Sequence, residues 1–411
     1  MTSNLSHTPQ HLKSGATTTK PIQMHKPNID REALTQTLKD MVSIDSVNPS
    51  LVKGAAGETE IADYLQNWMK ALGLETKRYD VEPGRPNVVG VLRGTGGGKT
   101  LLLNGHTDTV GVDYMTIDPF NPVTKDGRLY GRGSFDMKGG LAASMAAVKA
   151  VVDDGTRLKG DVILAAVCDE EYASIGTERL MKETTADAAI VGEFTAGNIQ
   201  VAHKGFAWIN VETHGVAAHG SLHRIGVDAI AKMGHVLIGL EALGQLLEET
   251  EHPLVGPGSV HASIIEGGSE LSTYPANCKL QLERRLIPGE ERDDVDEEMT
   301  SLIKSLEEGD PKFNSDYTIT FYRGPMEIDP DEEICRVLKE GSEKLLGKTP
   351  RYVGGTGWMD TQIIYSKGIP AVAHGPIGYG AHAKEEWVDL QSVYETALVH
   401  GYAIKKFCGA N

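Results

Sequence analysis

Between residues 29 and 192, the apolar positions of the chain follow two different patterns. From 29 to 72 they recur three or four residues apart, which predicts two helices, the second ended by Gly73. Short apolar runs then predict strands, and an alanine-rich stretch predicts a helix. The predicted strands are 87–93, 100–104, 161–169 and 186–192, and the predicted helix is 141–152. Strands that alternate with helices and end in polar residues indicate an α/β sheet with a site at its carboxyl edge.

The order of predicted elements changes near residue 201. The pattern there predicts a strand at 206–213, a helix at 227–247, strands at 259–265 and 279–287, a helix at 290–306 and a strand at 317–322. This β-α-β-β-α-β order is that of the ferredoxin-like split unit, which we interpret as a second domain inserted into the first. The remaining chain predicts a helix at 331–346, a glycine turn at 354–357, a short strand at 371–374 and a closing helix at 390–407.

These elements predict an α/β protein of two domains. The first is an α/β/α sandwich with a mixed, mostly parallel sheet, built from residues 29–201 and 324–411. The second is the inserted α+β domain, residues 202–323. Residues 1–28 are a mixture rich in Thr, Ser, His and Lys without an apolar segment, which predicts a disordered tail.

Composition narrows the classes of function. The 411 residues include 40 Lys and Arg against 57 Asp and Glu, a formal charge of -17. This balance argues against nucleic acid as a partner, because binding to phosphates needs a basic surface. No run of 18 apolar residues occurs, so we expect no membrane span. The four cysteines form no CxxC pair, which favours a reducing compartment. We therefore expect a cytoplasmic protein, with a transit peptide in the tail as the alternative.

Histidines and carboxylates follow the predicted strands of the first domain. His106 and Asp108 come after the apolar run 101–103, and Asp136 lies in the loop 131–140, which contains four glycines. Taken alone, such a histidine is usually a hydrogen-bonded loop residue, and such an aspartate is usually a turn residue or helix cap. The His-x-Asp spacing favours a metal ligand instead, because a ligating imidazole usually donates its other nitrogen proton to a neighbouring group such as a carboxylate.

Three more acids and a second histidine enlarge this set. Glu170 and Glu171 end a strand and point in opposite directions, so one can bind metal while the other faces substrate. Glu193 closes the buried run 188–192, where a carboxylate is either exposed or compensated by a cation. His382 lies in the loop 380–388, and alone it would be a surface residue. Two histidines and three carboxylates suit two zinc-like ions with one bridging carboxylate and a water, which a neighbouring glutamate can deprotonate.

With these residues in this order, the chain from about residue 29 onward resembles the M20 family of dinuclear zinc amidohydrolases. The family includes acetylornithine deacetylase, succinyl-diaminopimelate desuccinylase, aminoacylase-1 and glutamate carboxypeptidase. The resemblance implies that His106 and Glu193 hold one metal, that Glu171 and His382 hold the other, and that Asp136 bridges them and precedes a cis peptide bond. It also implies that Asp108 orients His106 and that Glu170 is the general base and then the general acid.

The resemblance also assigns roles outside the metal centre. The inserted domain corresponds to the family's lid and dimerisation domain. His219 resembles the histidine that stabilises the oxyanion, often from the partner subunit, and Arg285 resembles the arginine that grips the substrate carboxylate. Gly355, Thr356 and Asp360 match the glycine loop and aspartate that line the same pocket. One position departs: Ser272 stands where many relatives carry Asn, and a hydroxyl cannot offer both a carbonyl and an amide.

The sequence therefore predicts a metal-dependent hydrolase that removes the acyl group of an N-acyl amino acid. The expected cofactors are two Zn²⁺ ions, with Co²⁺ or Mn²⁺ as substitutes, and the expected assembly is a homodimer formed through the inserted domain. Two alternatives remain open: a carboxypeptidase or dipeptidase that uses the same site, and a catalytically silent metal-binding scaffold.

Overall fold

The computed structural model describes residues 26–410, so most of the predicted tail lies outside the described residues. The helices are α1 (Arg31–Ser43), α2 (Thr59–Ala71), α3 (Gly139–Asp153), α4 (Ile175–Glu183), α5 (Ala229–Leu247), α6 (Arg292–Gly309), α7 (Glu333–Leu346), α8 (Thr361–Tyr365) and α9 (Leu390–Phe407). The first strands are β1 (Glu75–Glu82), β2 (Arg85–Leu92), β3 (Leu101–His106), β4 (Val123–Lys125), β5 (Arg128–Tyr130), β6 (Val162–Val167), β7 (Ala188–Val191), β8 (Ile199–His203) and β9 (Gly205–His214). The later strands are β10 (Glu251–His252), β11 (Gly256–Pro257), β12 (Ser259–Gly267), β13 (Asn277–Leu286), β14 (Ser315–Arg323), β15 (Met326–Glu327), β16 (Tyr352–Gly355), β17 (Ala371–Ala373), β18 (Gly378–Tyr379) and β19 (Trp387–Asp389).

The largest sheet has the strand order β1-β2-β6-β3-β7-β17-β8-β15, with β16 beside β8. Its central strands β6, β3, β7 and β17 are parallel, whereas antiparallel pairs flank them on both sides. This mixed sheet confirms the predicted α/β fold class. Alternate residues of β3 face different helix layers: Leu101 and Leu103 pack with α1, α2, α3, α7 and α9, and Leu102 packs with α4 and α8. The sheet is therefore the middle layer of a sandwich.

This sheet differs from the sequence prediction in several places, and its strands β8 and β15 were not predicted. Strand β1 was not predicted, because it is a mostly polar edge strand that no apolar alternation marks. The glycine turn expected at 354–357 is wrong in its first half, since Gly354 and Gly355 belong to β16 and pair with β8. A side chain on Gly354 would approach the carbonyl oxygen of Leu254 to 2.5 Å, so close packing against backbone and not a turn requires glycine at that position.

Residues 205–323 form a separate four-stranded antiparallel sheet, which we call the inserted unit. Its strand order is β12-β13-β9-β14, and α5 and α6 cover one face around a core of its own. Counting its strands in chain order gives 4-1-3-2 from β14 to β12, the arrangement of the ferredoxin-like unit. Strand β8 stays in the large sheet up to His203, so the inserted unit begins a little later than the predicted residue 202.

A small sheet, β18-β19-β5-β4, joins two loops that are far apart in the sequence. The loop after β5 carries Asp136, and the loop between β18 and β19 carries His382. Because β19 pairs with β5, with Trp387 opposite Tyr130, the two loops lie side by side. This pairing brings Asp136 and His382 close to each other.

Helix α5 is, among residues 26–410, the one helix that is long and apolar enough to cross a membrane by length and composition. Its buried residues Met233, Val236 and Leu240 belong to the core of the inserted unit. A helix with that role does not indicate a membrane protein.

Candidate active site

Asp136 lies between two histidines at the carboxyl edge of the large sheet. Its Oδ1 is 3.2 Å from Nε2 of His106, and its Oδ2 is 3.3 Å from Nε2 of His382. The two oxygens of one carboxylate thus face two different imidazoles, which is the geometry of a bridging ligand. The Asp136–Met137 peptide bond is cis, as the resemblance implied.

Each histidine also faces a second carboxylate. Glu193, after β7, places Oε1 3.5 Å from Nε2 of His106, and Glu171 places Oε2 2.8 Å from Nε2 of His382. Within the described residues, the ligand atoms of His106, Asp136 and Glu193 form one compact group, and those of Asp136, Glu171 and His382 form another. The structure therefore brings all five predicted ligand positions together as two groups that share Asp136.

Glu170 lies beside these groups without belonging to either. Its Oε2 is 3.9 Å from Nε2 of His106. The backbone N–H groups of both Glu170 and Glu171 donate to the carboxylate of Asp108 at 3.1 Å, which fixes the turn after β6. Neighbouring side chains at this turn point to different places, as the strand-end argument predicts.

Asp108 contacts His106 through its main chain. Nδ1 of His106 lies 3.0 Å from the carbonyl oxygen of Asp108, whereas the Asp108 carboxylate is 3.6 Å away. A carbonyl only accepts, so Nδ1 carries the hydrogen of this contact, and Nε2 faces the carboxylates of Asp136 and Glu193. The prediction that Asp108 orients His106 thus corresponds to a backbone contact, and its carboxylate serves the turn of Glu170 and Glu171.

The Asp136 loop is held by a buried ion pair that the sequence analysis missed. Glu386, which is 0% exposed, accepts hydrogen bonds from the backbone N–H groups of Gly133, Phe135 and Asp136 at 2.8–3.0 Å. It also accepts from Nη1 of Arg132 at 2.6 Å. Because Glu386 follows His382 by four residues, this one carboxylate ties the two ligand-bearing loops together.

A second buried network, also missed, supports the turn that carries Glu170. Arg85 donates to both carboxylate oxygens of Glu58 at 2.6 and 2.7 Å and to Asp169 at 2.8 Å. Asp169 has φ 69°, a left-handed conformation that is uncommon for a residue with a side chain. Its carboxylate also accepts from Asn48 at 3.1 Å. These contacts hold the residue that immediately precedes Glu170.

The acids and imidazoles of the site shift one another's protonation. Burial raises the pKa of the Glu170 carboxyl well above its usual range, and it raises the pKa of Glu171 to about 7. Hydrogen bonds to Asp136 and Glu171 raise the pKa of His382 to about 10. Burial by itself would raise the pKa of Asp136, but the two imidazoles hold it below its usual value. Although burial opposes the rise, contacts with Asp108, Asp136 and Glu193 likewise raise the pKa of His106. The carboxylates of the cluster are thus balanced by the two imidazoles and by protons held on the glutamates.

These residues fit metal ions by their chemistry. Within residues 26–410, the two imidazoles are the only cationic side chains within 4.0 Å of the four acids Asp136, Glu170, Glu171 and Glu193. His106 Nε2 and the carboxylate oxygens face each other, and a metal cation between them would take the place of the proton that they share. Histidine nitrogen and carboxylate oxygen are ligands that zinc accepts.

A cavity of about 370 Å³ opens between this cluster and the inserted unit. Its lining includes Glu170, Glu171 and His382 on one side and Arg285 on the other. Arg285 therefore lies across the cavity from the acids, and its Nε donates to Glu283 at 2.6 Å. The wall near the predicted glycine loop is formed by Gly357 and Trp358.

The other predicted substrate residues lie elsewhere. Gly355 is in β16, and Thr356 is exposed. Asp360 is buried and accepts from Thr177 at 2.6 Å. His219 is exposed, with Nδ1 2.9 Å from the Ser221 hydroxyl, and it does not line the cavity in this single chain. Ser272 is its neighbour, because the Ser272 carbonyl accepts from Gly220 at 2.7 Å.

Residues 102–406 match the sequence profile of peptidase family M20/M25/M40. The chain belongs to this family. Its membership confirms the predicted resemblance and identifies the protein as a metallohydrolase of amide or peptide bonds, in agreement with two ligand groups that share one aspartate.

Individual M20 proteins are similar over nearly the whole chain. The N-formyl-4-amino-5-aminomethyl-2-methylpyrimidine deformylase of Bacillus subtilis is 29% identical over 409 residues, which cover 92% of this chain and 93% of that protein. The acetylornithine deacetylase of Salmonella typhi is 31% identical over 387 residues, with coverages of 89% and 93%. A tripeptidase structure from Staphylococcus aureus superposes with a TM-score of 0.75 at 22% identity, covering 92% of this chain and 99% of that one. The last likeness concerns the fold alone.

Proposed function

We propose that this protein hydrolyses the amide bond of an N-acyl amino acid with a water molecule activated at a two-zinc centre. The observation that carries the proposal is the position of Asp136, whose two oxygens face His106 and His382, with Glu170 beside them. His106, Asp136 and Glu193 would hold one ion, and Asp136, Glu171 and His382 the other. When bound, the ions lower the pKa of water and polarise the scissile carbonyl.

Glu170 is the residue best placed to move protons. Its side chain is 12% exposed and lies beside the metal cluster, outside both ligand groups, where it lines the cavity. A carboxylate there can accept a proton from the attacking water and then donate it to the departing amine. Its turn is fixed by Asp108 and by the Arg85 network, so its carboxylate is held in place before substrate binds.

Substrate contacts would come from the inserted unit. Arg285 lies across the cavity from the metal cluster and would bind the substrate carboxylate. His219 would stabilise the oxyanion from a second subunit, because within one chain it is exposed and away from the cavity. A homodimer is supported by the edge of β12, which pairs with no further strand within residues 26–410, and by the exposed apolar residues Ile264 and Ile265 on that strand.

Removal of an acyl group is favoured over cleavage of a peptide. The two full-length relatives at 29% and 31% identity are a deformylase and a deacetylase. The likeness to a peptidase structure, at 22% identity, concerns the fold. We therefore place the protein with the deacylases, in the cytoplasm, and keep a carboxypeptidase or dipeptidase activity as the second candidate.

The test is a comparison of N-acetyl amino acids with dipeptides on zinc- and cobalt-loaded enzyme, before and after chelation. We expect the N-acetyl compounds to be hydrolysed and the activity to disappear with the metal. Glu170→Ala should lower kcat by at least about 100-fold while both metals stay bound, the size expected for a general acid–base. Glu308→Ala, the same change at an exposed position of α6, is the matched control.

Three results would contradict the proposal. Near wild-type turnover of Glu170→Ala with both metals bound would remove Glu170 from its role. Preferential cleavage of dipeptides would make the protein a peptidase. Stoichiometric zinc without hydrolysis across the panel would make it a metal-binding scaffold.

A further inference from the structure

Strand β9 of the inserted unit divides its side chains between two faces of the sheet. Ala207, Ile209 and Val211 belong to the core under α5 and α6. Phe206 and Trp208 alternate with them and line the cavity above the metal cluster. The cavity face of this sheet therefore presents aromatic rings where a solvent-facing strand would present polar groups.

A β-bulge adds a third ring to the same face. Ile319 of β14 lies opposite Ile209, and Phe321 lies opposite Trp208, so Thr320 is an extra residue without a partner. Because of this extra residue, Ile319 packs with the core and Phe321, two positions later, lines the cavity. The centroid of Phe321 is 5.1 Å from that of Trp208 and 5.7 Å from that of Phe206.

The domain that contains the largest sheet contributes a fourth ring from the other side of the cavity. Trp358 stands edge-on to Phe206, with centroids 6.1 Å apart and an interplanar angle of 81°. We call Phe206, Trp208, Phe321 and Trp358 the aromatic wall. The chain has only 7 Phe and 4 Trp, and two of each lie in this one wall. Such a concentration at the mouth of a catalytic cavity is a binding surface for an apolar group.

The charged residues around the aromatic wall are engaged with one another. Glu283 accepts from Nε of Arg285 at 2.6 Å and from Nε1 of Trp208 at 3.0 Å. Arg323 donates to Glu178 and to the carbonyl of Ala173. A cationic substrate side chain would thus meet two arginines and a carboxylate that already has two partners, whereas an aromatic group would meet four rings.

We propose that the aromatic wall selects N-acyl amino acids whose side chain is a planar aromatic group. The proposal rests on the proposed function, because Arg285 as carboxylate anchor places the amino acid half of the substrate beside this wall. The guanidinium of Arg285 is 5.2 Å from the centroid of Phe206, so a carboxylate held by Arg285 puts the adjacent side chain against the rings. Stacked and edge-to-face contacts then favour a flat ring over an aliphatic group of equal size.

The experiment measures kcat/KM of the zinc-loaded enzyme for four N-acetyl-L-amino acids: phenylalanine, cyclohexylalanine, leucine and ornithine. We expect phenylalanine to exceed leucine and ornithine by at least about tenfold, which corresponds to about 1.4 kcal/mol. We expect it to exceed cyclohexylalanine about threefold, since that side chain has the same size without the planar ring. N-benzoylglycine and N-acetylglycine test whether an aromatic acyl group is favoured instead.

Two variants locate the preference in the wall. Trp208→Leu and Trp358→Leu should each reduce the phenylalanine-to-leucine ratio at least about threefold, the share of one lost ring contact. Trp68→Leu, the same change on α2 away from the cavity, should leave the ratio unchanged. The substrate panel on the unaltered enzyme decides the matter even where a variant does not fold.

The outcomes separate this inference from the proposed function. Hydrolysis with equal rates for phenylalanine and leucine, or with a preference for ornithine, overturns the aromatic selection and leaves the deacylase proposal intact. A preference that follows the benzoyl group overturns the assignment of the wall to the amino acid half. Absence of hydrolysis with every N-acyl compound overturns both proposals.

Discussion

Glu386→Gln tests whether a residue that positions the candidate metal ligands, without being a ligand itself, affects metal binding and stability. Glu386 contacts no ligand side chain in the two metal groups, yet its two oxygens receive four hydrogen bonds from the loop that carries Asp136. Oε1 accepts from the N–H groups of Phe135 and Asp136, and Oε2 accepts from Gly133 and Arg132. Glutamine keeps the shape of the side chain and replaces one acceptor by an NH₂ donor.

The magnitude follows from these contacts. Either orientation of the glutamine amide sets its NH₂ against two N–H donors, so two hydrogen bonds are lost whichever way it turns. Hydrogen bonds to charged groups contribute about 1.5–3 kcal/mol each, which gives a loss of about 3–6 kcal/mol. Arg132 is 1% exposed and would also lose its counter-ion, and breaking a buried pair costs about 3–5 kcal/mol by itself. Since these terms overlap, we expect a loss of about 4 kcal/mol in the free energy of unfolding.

The substitution should also weaken metal binding, because Asp136 belongs to both ligand groups. Groups that orient a ligand typically change metal affinity about 10- to 100-fold. Zinc affinity by competition with a chelator and the free energy of unfolding by denaturant titration measure the two effects. Glu385→Gln changes the adjacent, exposed glutamate and should alter neither. Wild-type zinc affinity in a Glu386→Gln protein of wild-type stability would refute the reasoning.

Two further predictions concern buried groups away from the ligands. Arg85→Lys removes the forked contact with Glu58 and Asp169, so we expect the free energy of unfolding to fall by about 3 kcal/mol. We also expect kcat to fall by a larger factor than KM changes. The control Arg93→Lys, at an exposed position, should change the free energy of unfolding by less than about 0.5 kcal/mol. Burial lowers the pKa of His203 to about 4 from the usual 6.5, so this side chain binds a proton more weakly in the folded protein than in the unfolded chain. Its contribution to stability is complete above pH 6.5 and is lost as the pH falls toward 4, about 2 kcal/mol by pH 5. Denaturant titrations should show that the free energy of unfolding decreases less from pH 7 to pH 5 in His203→Gln than in wild type. The exposed control His223→Gln should show the same decrease as wild type.

The grouping of the five candidate ligands could be proposed from local patterns in the sequence, which differ between the strand ends and the loops. His106, Glu171 and Glu193 come after apolar runs, and parallel strands bring their carboxyl ends to the same edge of a sheet. Asp136 and His382 lie in glycine-containing loops, where their residue types joined them to the set and the family resemblance assigned their roles. The pairing of β19 with β5, which brings those two loops together, involves strands of three residues and leaves little periodic signal.

The buried ion pairs that support the site had no such pattern. Arg132 and Glu386 are 254 residues apart, and Arg85 and Asp169 are 84 apart. In the sequence each is an ordinary charged residue, and charged residues are mostly on the surface. What marks them is complete burial, which depends on tertiary contacts. The glycine-flanked loop around Asp136 was a signal that something holds this segment tightly, but not that Glu386 does so.

The aromatic wall could not be predicted from the sequence either, because it depends on one extra residue in β14. Strict alternation along β14 would place Ile319 and Phe321 on the same face, and the hydrophobic pattern of 317–322 gives no sign that it is interrupted. The bulge at Thr320 sends the two side chains to opposite faces, so that one stabilises the inserted unit and the other lines the cavity. Deleting Thr320 would leave both side chains on their present faces, because Ile319 and Phe321 would then be consecutive residues of a regular strand. A regular strand that kept Thr320 would instead place Phe321 on the same face as Ile319. The proposed aromatic selectivity therefore depends on one extra residue in β14, and a chain with these residues in a regular β14 would present a different pocket to its substrate.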